Sequence, residues 1–248
     1  MSHHAPPVYP IVNPWSDYKP LRTLTNTIVL FLGLVVFLNA IATVLVLVDS
    51  AMYPITEQVS DEISEGQLML LMMLGLAGLG SLGASITTAV IFCMWMYRAN
   101  RNARTLGAEG LTFTPGWCAG WWFIPFANLV QPFRAMKEIY QASEPEAGPR
   151  DWQFATVPAI LGVWWGFWLT SNVVSQIEFR LSMQDDPQLV QASDYIGIVS
   201  LALTVVAAFA AASIVRRVRA RQDQRHAILT QISEQSPAVA DDAPPLPL

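Results

Sequence analysis

Charge is what this chain has least of. Asp, Glu, Lys and Arg make up 13% of its 248 residues, against 53% hydrophobic. Soluble domains carry roughly 25% charged residues, so the composition excludes an ordinary soluble globular class and points to a membrane protein. Cysteine is nearly as scarce. Cys93 and Cys118 have no CxxC partner and no nearby His, which excludes a disulfide framework and leaves no metal site and no cofactor to expect. HExxH, GxSxG and P-loop patterns are all missing, so no catalytic residue is named. No apolar signal core occurs in the polar, Pro-rich first twenty residues. His3 and His4 are the one paired-histidine feature, too few for a firm metal site.

What the chain does have is long runs without charge. Thr23–Val48, Gln67–Tyr97, Trp152–Ile177 and Tyr195–Val215 each reach the roughly 20 residues needed to cross a bilayer core. They predict an all-α membrane protein of four transmembrane helices within a domain at 22–225. A flexible arm at 1–21 precedes it, and a disordered Pro-, Ala- and Asp-rich tail at 226–248 follows. The four runs contain no Asp, Glu, Lys, Arg or His, so a proton relay or ion-coupled carrier lacks its usual parts. Asn39 and Thr43 share a face suited to hydrogen bonding with a neighbouring helix. Gly80/Ala84 and Ala77/Ser81, like the AAFAAAS run at Ala207–Ser213, predict close packing between helices of the same chain.

Basic residues orient the spans. Of 14 Lys and Arg residues, all but Arg180 flank the runs on one side. The positive-inside rule then puts both termini and the stretch between the second and third spans in the cytoplasm.

That stretch, Tyr97–Tyr140, is the organising one. It opens with Arg98, Arg101 and Arg104, whose spacing of three holds them within about a third of a helix circumference. Leu111–Phe133 is uncharged but broken by Pro115, Pro125 and Pro132. Spanning as a straight fifth helix would also carry Arg134, Lys137 and Arg150 outside. Segment 111–143 is therefore expected to be re-entrant or interfacial. Trp117, Trp121, Trp122, Pro125, Asn128 and Pro132 form its motif, with the tryptophans at headgroup level. Beyond it, Phe133, Met136, Ile139 and Tyr140 share the apolar face of a short helix in the interface plane. Arg134, Lys137, Glu138 and Gln141 lie away from that face, with Glu138 in an i,i+4 pair with Arg134.

On YRANRNARTLGAEGLTFTPGWCAGWWFIPFANLVQPFRAMKEIYQAS, Tyr97–Ser143, with hydrophobic spans in matching order around it, the chain resembles the bacterial membrane family called domain of unknown function 4328. The resemblance runs over about 21–225. It implies a multi-pass protein of bacterial cell membranes and supplies no catalytic residue.

Arg98, Arg101, Arg104, Arg134 and Lys137 are the candidate ligands for anionic lipid headgroups, because guanidinium groups grip phosphate oxygens in pairs. An ordinary basic collar that fixes topology accounts for the same residues. The preferred reading is a non-enzymatic lipid- or partner-binding scaffold, with membrane lipids as partners and a protein partner or a second copy alongside. Nucleic acid is not expected, since the basic residues follow the membrane surface. The alternative is a small oligomeric channel or transporter gated by 97–140. Less favoured is a lipid-modifying enzyme using Glu109, which requires Glu109 to face the arginines across a cleft.

Overall fold

The computed structural model describes residues 17–53 and 64–241, with side chains as far as residue 234. His3 and His4, most of the N-terminal arm and residues 242–248 lie outside the described residues. Every regular element among those described is helical. Four long helices, α1 (Arg22–Met52), α2 (Glu65–Thr105), α5 (Ile160–Ser182) and α6 (Pro187–Asp241), run alternately up and down. Two short ones, α3 (Pro115–Gly120) and α4 (Gln131–Ala142), fill the link between α2 and α5.

Three of the helices, α1, α2 and α6, are long and apolar enough to cross a membrane. They carry an outward coat of exposed Leu30, Phe37, Val44, Leu76, Leu79, Val205 and Phe209, a surface that water tolerates only in small patches. α5 has the length, but Trp164, Trp165, Trp168, Asn172 and Gln176 dilute its apolar character. It also starts later than the expected Trp152. Pro158 lacks an N–H and restrains the residue before it, so the helix begins at Ile160, and Trp152 falls in a separate 3₁₀ turn, Asp151–Phe154. α6 runs on as helix past residue 225, where a disordered tail was expected, through Asp241.

Side-chain bonds record the antiparallel pairing. Trp95 donates from its indole nitrogen to Thr25 Oγ1 (3.0 Å), and Asn39 donates to Ser81 Oγ (2.9 Å), tying α2 to α1 at two levels. The hydroxyls of Ser175 and Ser200 join α5 to α6 at 2.7 Å. Ser50 donates to Asp194, and Tyr18 donates to Asp223 Oδ1 (2.6 Å), at opposite ends of the α1–α6 seam. The small residues of α2 do what their spacing predicts. Ala77 and Ala84 are buried, and Gly80 lies so close to Leu38 that an added Cβ would stand 3.4 Å from it. Ala207, Ala210 and Ala211 are likewise buried on α6.

Packing is concentrated at one end. Ile28, Trp95, Met96, Met136, Ile139, Leu161, Trp164, Ile214, Val215 and Val218 form one buried cluster where the α3–α4 link wedges between α2 and α5. α2 stops there through a turn its sequence specifies. Gly107 takes φ +85°, and the N–H groups of Gly107 and Ala108 donate to Arg104 O and Ala103 O, both 3.0 Å. This is the Schellman arrangement that satisfies the last carbonyls of a helix.

Candidate functional site

The last turns of α2 separate the three arginines. Arg104 turns inward: its Nε donates to Asn100 Oδ1 (3.2 Å), and its second amino group to Leu111 O (3.2 Å) and Phe113 O (2.8 Å). It holds the returning loop rather than facing a ligand. Arg98 and Arg101 instead line a cleft of about 370 Å³ with Lys19, Asn102 and the apolar Leu24, Cys93, Met94, Tyr97 and Ala119. Lys19 arrives there because its backbone N–H and C=O both bond the Asn102 side chain, at 3.2 and 2.8 Å. Among the described residues, no carboxylate pairs with Lys19, Arg98 or Arg101. Among the described residues three cations thus share one cleft with no internal counter-charge, and apart from Asn102 its remaining wall is mainly apolar. Such a site suits an anion carried on an apolar chain. Arg134 and Lys137 are exposed on α4 and do not line it.

α4 differs from its expected role. Met136 and Ile139 are fully buried and Tyr140 nearly so, so the apolar face rests on the protein's own core. Glu138 is buried with them at 8% exposure. Instead of pairing with Arg134, its carboxylate accepts the backbone N–H groups of Thr112 (2.8 Å) and Phe113 (3.0 Å). Arg104 and Glu138 therefore grip the same loop from opposite chemistries, one on its carbonyls and one on its amides. Cys118, packed beside them, has its thiol pushed up to about 12 by burial and by the Glu138 carboxylate, which outweigh the opposing Arg104. Glu109 pairs with Arg150 (3.0 Å) on the surface, not with Arg98, Arg101 or Arg104. The geometry required of an enzyme at Glu109 is not present.

The Trp-rich motif divides in two. Trp122 stands between helices, edge-on to Phe92 (5.8 Å), Trp165 (5.9 Å) and Trp168 (5.3 Å), with its indole N–H on Met96 Sδ (3.3 Å). It is wedged between the helices, half-buried. Trp121 tilts against Trp117 (4.8 Å), which is half exposed. Pro125 O accepts the Ala127 N–H (2.7 Å) around Phe126, whose φ of +62° and ψ of −41° make this a strained γ-turn. The turn throws Phe126 and Phe123 outward, 86% and 78% exposed. Asn128 closes the following turn by donating its backbone N–H to Ile124 O (2.9 Å). Pro132 is buried in the first turn of α4, where no N–H is needed. Trp165 donates to Leu129 O (3.1 Å) and fixes the far side of the loop to α5.

Behind the cleft lies a polar core that sequence reasoning missed. Gln222 is fully buried and donates to Ala99 O (2.9 Å) and Ser143 Oγ (3.0 Å), while its oxygen accepts from Asn102 (3.1 Å). Arg225 donates to Leu106 O (2.8 Å) and Glu144 O (2.7 Å). Arg221 stacks over the Tyr140 ring at 4.2 Å and pairs with Glu144 at 3.0 Å. Tyr18 stacks on His226 (4.5 Å), and burial, then its bond to Asp223, raises the phenol well above its usual range. One signal was available: Ile214, Val218, Gln222 and Arg225 continue a single helical face beyond the apolar run.

No curated protein and no solved structure matches the chain. A family model matches residues 68–220, from the second long helix to a point on the last helix just short of the polar core. With most of its length so matched, and with the helix-exit arginines, the Trp-rich wedge and α4 all inside that range, the chain belongs to the family described as domain of unknown function (DUF4328).

Proposed function

We propose that this protein spans a bacterial cytoplasmic membrane four times, with α5 as the fourth span and both termini inside, and that its basic cleft binds the headgroup of an anionic phospholipid. The observation that carries this reading is the cleft itself, where, among the described residues, Lys19, Arg98 and Arg101 have no carboxylate partner and stand beside Leu24, Met94 and Tyr97. A phosphate would sit on the cations while its acyl chains follow the apolar wall of α2 toward the bilayer. The exposed Phe123 and Phe126 support a tip at 123–126 that enters the acyl region near the same leaflet. A binding module is favoured over a pore because Trp95, Met96, Leu161, Trp164 and Ile214 are packed together as one buried apolar cluster between the helices at the cleft end.

Native-lipid nanodiscs followed by mass spectrometry of bound lipid test the cleft. Lys19→Gln/Arg98→Gln/Arg101→Gln should lower retention of phosphatidylglycerol relative to phosphatidylethanolamine by about tenfold, the loss of one or more charge-assisted contacts. Arg134→Gln/Lys137→Gln should leave the ratio unchanged. Equal ratios in wild type and the triple variant overturn the reading.

Topology has its own test. In a Cys93→Ser/Cys118→Ser background, Pro145→Cys should resist an impermeant maleimide added outside intact cells and react once they are opened. Labelling in intact cells would place the α4–α5 connection outside, against the positive-inside count.

A further inference from the structure

At the end of the bundle away from the basic cleft, the long helices part around a second cavity of about 430 Å³. α1 supplies Asn39 and Thr43, α5 supplies Ser175 and Glu178, and α6 supplies Asp194 and Ser200. No Lys, Arg or His lines it, and among the described residues neither carboxylate has a cationic partner. The charge-free runs of the sequence conceal this, because α1, α5 and α6 each extend past the apolar stretch and bring their acidic turns back over it.

The lining is shaped toward an interior guest. Gly197 faces Glu178, and a Cβ there would stand 3.0 Å from its carboxylate oxygen, so the missing side chain lets that carboxylate lie against α6. Asn39 uses its amide nitrogen on Val35 O (2.7 Å) and Ser81 Oγ (2.9 Å), which leaves its oxygen to accept. Near the mouth, beside the Ser50–Asp194 bond, Asp49 holds a buried carboxylate oxygen with no hydrogen-bond partner among the described residues. Carboxylates drawn into a membrane bundle without a counter-charge are costly, and such groups mark ligand paths.

We propose that this cavity binds a small organic ammonium ion. Its volume is several times that of a bare ion and falls in the range of small-molecule pockets, roughly 300–1,000 Å³. No group of three or more His, Cys, Asp or Glu that could hold a metal occurs among the described residues. Glu178 and Asp194 supply the negative charge that attracts the ammonium, the Asn39 oxygen and the hydroxyls accept its N–H groups, and Ala42, Val46 and Leu201 accommodate the alkyl part. The inference rests on helix geometry and is independent of lipid binding at the other end.

Calorimetric titration of the full chain in nanodiscs with butylammonium chloride, at constant ionic strength, tests it. Saturable binding is expected, weakened at least about tenfold by Glu178→Gln or Asp194→Asn. Phe209→Ala, on the exposed coat, and the Lys19/Arg98/Arg101 triple variant should bind as wild type does. Should the carboxylate variants fail to fold, Gly197→Ala displaces Glu178 and should weaken binding about fivefold or more. Absence of saturable heat overturns the proposal, as does unchanged affinity in these variants. Displacement by sodium or potassium at equal concentration also overturns it and makes the cavity an inorganic-cation site.

Discussion

Glu138→Ala should destabilise the protein by about 3–4 kcal/mol and open Cys118 to thiol reagents. The buried carboxylate receives two backbone N–H groups, and Arg104 holds the carbonyls of the same loop. Hydrogen bonds to a charged group contribute about 1.5–3 kcal/mol each, and because Thr112 is exposed and can turn to water while Phe113 is buried, the loss falls at the low end of the sum for two bonds. Alanine would remove both bonds and leave the loop held from the Arg104 side alone. Glu138→Gln keeps one acceptor oxygen and should lose about half as much. Denaturant titration in micelles reads the stability. The local effect is read at Cys118, whose thiol, buried and pushed up to about 12, should stay unmodified by N-ethylmaleimide at pH 8 in the wild type. Reaction should become measurable in Glu138→Ala before global unfolding. An unchanged midpoint together with a silent Cys118 would show that the loop is held by something else.

Trp122→Ala should cost about 3 kcal/mol, whereas Trp117→Ala should cost less than about 1 kcal/mol. Composition does not separate these residues; position does. Trp122 fills the gap between α2 and α5 and touches Phe92, Trp165, Trp168 and Met96. Trp117 is half exposed and leans only on Trp121 among the ring pairs present. Loss of a large buried ring leaves a cavity that neighbouring helices cannot fully close. Indole emission should also shift to longer wavelength in Trp122→Ala, because Trp165 and Trp168 lose their cover. Equal losses for the two variants would remove the distinction between wedge and surface ring.

The contrast shows which parts of the chain could be read in advance. Helices α1 and α2 were legible because a run without charge and long enough to cross a bilayer has few other uses. That Leu111–Phe133 is no continuous helix was legible from Pro115, Pro125 and Pro132. What was not legible was direction. Arg98, Arg101 and Arg104 have identical spacing, yet only the return path of residues 107–113 decides that Arg104 turns inward. Glu138 sits where a helical wheel reads it as solvated, but the same loop arrives to bury it. Gln222 and Arg225 resemble a surface collar until Asn102, Ser143 and Glu144, distant in sequence, supply their partners. The late start of α5 was readable from Pro158, but the absence of charge after Asp151 drew the boundary to Trp152.

The last helix has a mechanical property. Between Ile198 and Glu234 it contains neither proline nor glycine, the residues at which long helices most often bend. Ser200, which lines the acidic cavity, and Gln222 in the polar core are carried about 33 Å apart on one rigid strut. A few degrees of tilt at Ser200 would swing the amide end by a few ångströms, with no joint between them to absorb the motion.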